Sequence, residues 1–240
     1  MEKLTENQDT KRFLGIISDG STDEEILFEF TNRIFGKEDT FELVSLSQKL
    51  RDGVDAYKRE CSYNSSGLCS KTAEKLRNTI ITIIFSAINE FERQIYRNLT
   101  SNDILVLSTD AESKLKNPED YFKEEWCALI SKIFYISLER FYHLAKYNFP
   151  WKDLPLILPL LFFPSTDIII AAARTEINSI GTIHGLKASE LKQKIYGVTN
   201  LSYLNEGDFK KYALDYITPE SIKLIYNNVP EVRLFVQTIK

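Results

Sequence analysis

Four apolar runs along the chain predict β-strands. Three of them are short and bounded by polar or turn-forming residues, which is typical of buried strands in a sheet. These are FLGIIS (13–18), FELVSLS (41–47) and DILVLS (103–108). The fourth run, LPLIL at 154–158, contains Pro155 and precedes Pro159. Proline has no N–H to donate to a neighbouring strand, so we expect this fourth strand at an edge of the sheet.

The segments between the runs carry helix signals. Residues 21–25, STDEE, contain two overlapping capping boxes and predict a helix that begins there and ends near Phe35, before Gly36. A long helix should cover roughly 71–99, because apolar residues recur there at spacings of three and four. Another helical region is expected at about 118–147. The apolar face of the long helix would consist of Leu76, Ile80, Ile84, Ala87, Phe91, Ile95 and Leu99.

The alternation of strands and helices predicts an α/β fold with three layers and a mostly parallel sheet of about four strands. We expect residues 1–165 to form this domain, with an irregular insertion at 48–70, where Gly, Asn and Ser are frequent. Residues 166–240 should form a helical C-terminal extension packed on the domain, beginning with a helix at 166–178.

The composition excludes several classes of protein. The chain has 240 residues, 43% of them hydrophobic, and a net charge of −4, so a globular core is expected without an overall basic field. Cys61, Cys69 and Cys127 lack the spacing of a zinc site and indicate reduced thiols in a cytoplasm. The most apolar stretch, 154–173, contains three prolines and the polar residues 165–167, which predicts a buried strand and helix rather than a membrane span.

Acidic residues follow two of the predicted strands. Asp19 comes directly after the first strand, and Asp110 and Glu112 come directly after the third. The carboxyl ends of parallel strands lie at one edge of the sheet, where ligands of α/β proteins bind. Carboxylates gathered there repel one another unless a cation or a shared proton relieves them. Because Mg²⁺ binds one or two carboxylates together with waters and phosphates, the pattern predicts metal-assisted phosphoryl chemistry.

Each of these acids also has a structural explanation. Asp19, which precedes a glycine, suits a turn, and residues 110–112 suit a solvated loop after a strand. Asp23 falls in the first turn of a predicted helix, where the helix dipole favours acids. Helix capping likewise explains Asp167, at the start of the predicted helix 166–178.

Two stretches resemble the Toprim domain, which topoisomerases, primases and overcoming-lysogenization-defect nucleases share. Asp19-Gly20-Ser21-Thr22-Asp23 is similar to the family's strand-end Glu-Gly with an acid three positions later. Leu107-Ser108-Thr109-Asp110-Ala111-Glu112 is similar to the family's later strand that ends in Asp-x-Asp. The resemblance covers about residues 13–115, and Asp167 is a candidate counterpart of the family's later acidic residue.

The resemblance implies a role for four acids. Asp110 and Glu112 would hold Mg²⁺ or Mn²⁺, Asp23 would support a second ion, and Asp19 would act near the scissile phosphate as a catalytic group or metal ligand. The chain departs from the family at two of these positions, since Asp19 stands where Glu is usual and Glu112 where Asp is usual. Compared with the family, the side chain of Asp19 is thus shorter by one methylene and that of Glu112 is longer by one.

Three functions remain open at this point. If the two changes compensate, the resemblance implies an Mg²⁺-dependent nuclease acting on DNA or RNA, in an anti-phage setting and beside an ATPase partner. If they do not, it implies a weakened Toprim-like module for binding or assembly, without enzyme activity. The third is a glycosyltransferase, because Asp-Gly-Ser-Thr-Asp is similar to the DGSTD motif of inverting members. In that family a strand and helix precede the motif and a DxD follows sooner than residues 110–112 do here.

Basic residues in the C-terminal part offer a contact for nucleic acid. Lys187, Lys192 and Lys194 have helical spacing, and each could neutralise a backbone phosphate, with a solvated helix face as the alternative. Arg174 is interpreted as a surface charge or a phosphate contact. His143 is interpreted as a packed or half-exposed residue rather than a base.

Overall fold

A parallel β-sheet forms the centre of the chain. The computed structural model describes residues 11–18, 20–35, 41–50, 52–53, 70–110, 129–149, 151–174, 183, 185–203 and 214–239. Within these residues the sheet has four strands, all parallel, in the order β2-β1-β3-β4. The strands are β1 (Phe13–Ile17), β2 (Glu42–Ser45), β3 (Ile104–Asp110) and β4 (Leu156–Phe162). The predicted α/β fold with a mostly parallel sheet is confirmed.

Helices cover both faces of the sheet. The α-helices of the described residues are α1 (Ser21–Phe35), α2 (Ser70–Ile95), α3 (Leu129–Asn148), α4 (Ile168–Ala173), α5 (Ala188–Tyr196), α6 (Pro219–Asn228) and α7 (Pro230–Ile239). A 3-10 turn forms at Leu201–Tyr203. The predicted helix at 21–35 and the helical C-terminal part are confirmed. Of the insertion predicted at 48–70, residues 48–50 and 52–53 are helical, and 54–69 lie outside the described residues.

The long helix α2 ends earlier than its apolar pattern predicts. It stops at Ile95, and Tyr96 takes a left-handed backbone conformation with φ of 56°. Arg97 then turns back to the start of β3, where its guanidinium donates two hydrogen bonds of 2.7 Å to the carboxylate of Asp103. The ion pair therefore fixes the chain at the point where the helix stops.

Strand β4 lies at an edge of the described sheet, as its prolines predict. It pairs with β3 from Ile104↔Leu156 to Asp110↔Phe162, and Pro159 lies opposite Leu107. Among the described strands β4 has no second neighbour, so the missing N–H of Pro159 interrupts no inner pairing. The strand extends beyond the predicted end at 158.

The two faces of the sheet carry separate cores. On one face, Phe91 of α2 and Phe141 of α3 pack with the odd-numbered positions of β3. A Cβ on Gly15 of β1 would lie 2.7 Å from the ring of Phe91, so glycine permits this close approach. On the other face, Phe30 of α1 packs with the even-numbered positions of β3 and with α4 to α7. The C-terminal helices thus pack on this second face, and the domain boundary predicted after residue 165 stays a prediction.

The apolar stretch 154–173 folds into β4 and α4, as predicted. The described part of the chain contains no helix with the length and apolar character needed to cross a membrane. The helix predicted at 166–178 is observed as Ile168–Ala173, and residues 175–182 lie outside the described residues.

Candidate active site at the carboxyl edge of the sheet

The order of the strands opens a crevice between β1 and β3. From β1 the chain continues through α1 to β2 on one side, whereas β3 is followed by α3 and by β4 on the other side. Helices α1 and α3 belong to the cores on opposite faces of the sheet. The chain therefore leaves the carboxyl ends of β1 and β3 in opposite directions, which is the arrangement that creates ligand-binding crevices in α/β proteins.

Asp110 ends β3 at this crevice. The residue is 8% exposed, and its Oδ1 accepts hydrogen bonds from the backbone N of Thr166 at 2.8 Å and from Thr166 Oγ1 at 3.0 Å. Thr166 lies in the segment that follows β4, the neighbouring strand. The ends of two adjacent strands are therefore joined through one carboxylate, which holds Asp110 in a fixed orientation.

Asp167 lies beside Thr166 and is also buried. Its Oδ2 accepts from Ser165 Oγ at 3.1 Å, and its Oδ1 accepts from the hydroxyl of Tyr196 at 3.4 Å. Asp167 occupies the N-cap position of α4, yet its side chain makes no capping hydrogen bond. The prediction that capping explains Asp167 is wrong, because its oxygens accept from other partners.

Helix α5 brings a cation to the acids. Lys192 and Tyr196 lie one turn apart on α5, and Lys192 Nζ is 3.5 Å from Asp167 Oδ2. The negative charge of Asp167 raises the pKa of the Lys192 ammonium above its usual value, burial opposes this, and the charges of Asp110 and Asp23 add to the rise. Three aspartates from three parts of the chain therefore act on the same ammonium group.

Tyr196 remains a hydrogen-bond donor in this environment. Burial raises the pKa of its hydroxyl above the ordinary value, and the negative charges of Asp167 and Asp23 raise it further. The hydroxyl therefore keeps its proton at neutral pH and donates a hydrogen bond to Asp167 Oδ1.

Asp23 reaches the crevice from the first turn of α1. Its Oδ2 is 3.4 Å from the position that a Cβ on Gly20 would occupy, so the carboxylate lies over the turn that follows β1. Gly20 O accepts from Ser18 Oγ at 2.6 Å and from the backbone N of Glu24 at 3.3 Å. These two bonds fix the turn that carries the acid.

A buried hydroxyl lies just inside the edge. Ser108 is 1% exposed, and its Oγ has no hydrogen-bond partner among the described residues. Side chains alternate along a strand, so Ser108 lies on the same face of β3 as Asp110. A buried polar group without a partner is uncommon and marks a place where a further polar ligand would be favourable.

A fully buried carboxyl group anchors the end of β4. Glu231, in the first turn of α7, is 0% exposed, and its Oε1 accepts from the backbone N of Phe163 at 3.1 Å. Burial raises the pKa of Glu231 to about 8. The segment that carries Thr166 and Asp167 begins directly after this contact.

The structure brings some of the predicted site residues together. The charges of Asp23 and Asp110 both act on the ammonium of Lys192, whereas Asp19 and Glu112 lie outside the described residues. Lys187 and Lys194 are exposed on α5 and its N-cap, so of the three predicted lysines Lys192 is the one placed beside the acids.

Two other predicted positions lie elsewhere. His143 is exposed on α3. Arg174 donates a hydrogen bond to Ile195 O, and its guanidinium carbon is 4.8 Å from the ring centroid of Tyr216. Arg174 therefore connects the end of α4 to α5 rather than extending freely into solvent.

Sequence reasoning missed the contributions of Thr166 and Tyr196, and it connected Asp167 to the site only through the resemblance to Toprim domains. The rule applied to the ends of the first and third strands would have found Thr166 and Asp167, had it also been applied to the end of the fourth. Tyr196 gave no such signal, because in the pattern of α5 it is simply one more aromatic residue.

Within the described residues, no group of three or more His, Cys, Asp or Glu side chains is arranged to hold a metal ion. No protein-family model, curated protein or solved structure matches the chain. Function therefore has to be inferred from the chemistry of the site itself.

Proposed function

We propose that this chain hydrolyses phosphodiester bonds of DNA or RNA with the help of Mg²⁺ or Mn²⁺. The observation that supports this most is the ion pair of 3.5 Å between Lys192 Nζ and Asp167 Oδ2, where the charges of Asp110 and Asp23 also raise the pKa of the ammonium. Carboxylates that bind an ammonium group also provide the hard oxygen ligands that a divalent cation prefers. The carboxyl edge beside the crevice between β1 and β3 is where an α/β sheet binds its ligands.

The donor atoms fit a magnesium ion. Mg²⁺ is usually bound by one or two carboxylates, with waters and substrate phosphates completing the shell, so a cluster of three acids is not required. Asp110 and Asp23 would hold the ion, and the resemblance to Toprim domains adds Asp19 and Glu112. The unpartnered Oγ of Ser108, on the same face as Asp110, supplies a further buried oxygen atom.

The ion and the residues around it would have different roles in the reaction. The ion, when bound, supplies a Lewis acid that polarises the phosphate and makes a bound water more acidic. The two hydrogen bonds from Thr166 keep Asp110 oriented before the substrate arrives, which lowers the entropic cost of reaching the reactive geometry. Lys187 and Lys194, exposed on α5 and its N-cap, would neutralise phosphates of the nucleic-acid backbone.

Replacing Asp110 tests the proposal. Asp110→Asn keeps a carbonyl oxygen that Thr166 can still donate to, but removes the charge that would hold the ion. We expect cleavage of plasmid, single-stranded DNA or tRNA in Mg²⁺ or Mn²⁺ to fall by roughly a hundredfold or more, as for loss of a group that stabilises charge in a transition state. The control is Asp215→Asn, which removes an exposed carboxylate outside the site.

The outcomes separate the candidate functions. Equal cleavage by wild type and Asp110→Asn would assign the activity to a contaminant and contradict the proposal. The ion pair between Lys192 and Asp167 favours a second candidate, a binding module without enzyme activity, since it gives the edge a cation of its own. In that case the chain would bind nucleic acid equally well in Mg²⁺ and in EDTA and would cleave none of the substrates.

A further inference from the structure

The ammonium of Lys192 lies beside a buried acid at the carboxyl edge of the sheet. It lies 3.5 Å from Asp167 Oδ2, and the side chain remains 39% exposed. Asp167 in turn is fixed by Ser165 and Tyr196, so its carboxylate is held in place while the flexible lysine can leave it. A lysine in this position is a movable counter-ion beside fixed acids.

We propose that Lys192 is the resident counter-ion of the acidic edge and that a divalent cation binding there must first displace its ammonium from Asp167. This inference rests on the proposed function, because it assumes that the edge binds a divalent cation. The ammonium and the dication are attracted by the same carboxylates and repel each other, so they do not share the site at full affinity. The positive charge of Lys192 therefore raises the concentration of free metal ion that is required to fill the site.

The exposed lysines of the same helix distinguish this role from ordinary phosphate binding. A lysine that only contacts nucleic acid affects binding of the polyanion and its salt dependence, and leaves binding of metal to the free protein unchanged. A resident counter-ion affects binding of metal in the absence of any nucleic acid. Lys194 is exposed, lies on the same helix and so provides the matched control.

The test is a titration of the full-length, metal-free protein with Mn²⁺, in the absence of nucleic acid. Free Mn²⁺ is followed by electron paramagnetic resonance, and calorimetry checks the stoichiometry. We expect Lys192→Met to tighten Mn²⁺ binding by about tenfold, because a positive charge close to the ion has been removed. Lys194→Met should stay within about twofold of wild type, since exposed charges farther from the site are screened by salt.

Each outcome decides the inference. Tighter binding in Lys192→Met and in Lys192→Gln, with Lys192→Arg close to wild type, supports it. Wild type that binds Mn²⁺ as tightly as Lys192→Met, or more tightly, overturns the counter-ion role and leaves the proposed metal site standing. If wild type and all variants fail to bind Mn²⁺ at millimolar concentration while unfolding cooperatively, the proposed metal site is wrong and the inference falls with it.

Discussion

Buried carboxylates are paired differently at the two ends of the strands, which we call the amino edge and the carboxyl edge of the sheet. At the amino edge, Asp103 is fully buried and receives two bonds of 2.7 Å from Arg97, one of 2.8 Å from Thr100 N and one of 3.1 Å from Phe13 N. At the carboxyl edge, the ammonium of Lys192 lies 3.5 Å from Asp167 Oδ2, and the charges of Asp110 and Asp23 also raise the pKa of that ammonium. The amino edge is neutralised by a bidentate pair at 2.7 Å, whereas at the carboxyl edge the ammonium lies farther from the carboxylate that it pairs with.

The difference separates residues that hold the fold from residues that are available to a ligand. Asp103 and Arg97 close the amino edge and connect β1 to β3, and Arg97 also lies 5.0 Å from the ring centroid of Phe13. Like charges near one another at the other edge oppose folding slightly, which agrees with the proposal that this edge binds a metal ion.

The largest effect is expected from removing the charge of Asp103. Asp103→Asn should lower the free energy of unfolding by about 3 kcal/mol, because it leaves the half-buried guanidinium of Arg97 without its counter-charge. Urea unfolding at neutral pH, with the slope against urea held constant, measures this loss.

The matched change at the other edge is Asp110→Asn. We expect it to alter the free energy of unfolding by less than about 1 kcal/mol, since removing one of several like charges offsets the loss of a charged acceptor. If Asp110→Asn costs as much as Asp103→Asn, both edges serve stability and the carboxyl edge loses its claim to be a binding site.

The next effect concerns Glu231 and pH. Its pKa is raised by burial to about 8, so the folded protein holds a proton there that the unfolded chain releases from about pH 4.5 upwards. The free energy of unfolding should therefore be highest below the unfolded pKa and fall by a few kcal/mol as the pH rises from 4.5 through about 8.

Glu231→Gln isolates this contribution. Glutamine keeps an oxygen that can accept from Phe163 N and has no proton to lose, so its unfolding free energy should vary less with pH over the same range. Unfolding curves of both proteins at intervals between pH 5 and pH 9 make the measurement. A wild type whose stability is as flat as that of the variant would contradict a protonated Glu231.

Local patterns in the sequence were sufficient for the fold. The apolar runs predicted β1, β2 and β3, the capping boxes predicted α1, and the prolines placed β4 at an edge, because each of these signals acts within a few residues of chain. The predicted end of α2 was wrong. Tyr96 leaves the helix where Arg97 pairs with Asp103, and the spacing of apolar residues gives no information about that contact.

The site was only partly predictable for the same reason. Asp110 could be singled out because parallel strands bring their carboxyl ends to one edge, and Asp23 through the resemblance to Toprim domains. The partners of Asp167 could not, because Tyr196 and Lys192 reach it only when α5 packs on the second face of the sheet. Nothing in the sequence of α5 indicates that Lys192 and Tyr196, one helical turn apart, contact Asp167.

The smallest effect is expected in a comparison of two half-buried tyrosines, one toward each edge. Near the start of β4, the hydroxyl of Tyr142 accepts a hydrogen bond from the backbone N of Ile157 at 3.0 Å. Near its far end, the hydroxyl of Tyr196 donates a longer bond of 3.4 Å to Asp167. Tyr142→Phe should cost about 1–2 kcal/mol, because it leaves a backbone N–H of an edge strand without its acceptor.

Tyr196→Phe should cost less than about 0.5 kcal/mol, because its bond is long and Asp167 keeps Ser165 and Lys192 as partners. Thermal unfolding of both variants beside wild type, at the same pH and salt, ranks them. Should Tyr196→Phe prove the more damaging of the two, the carboxyl edge would be held as rigidly as the amino edge. The bond from Tyr196 would then serve the stability of the fold, and Asp167 would belong with Asp103 among the acids that hold the sheet together.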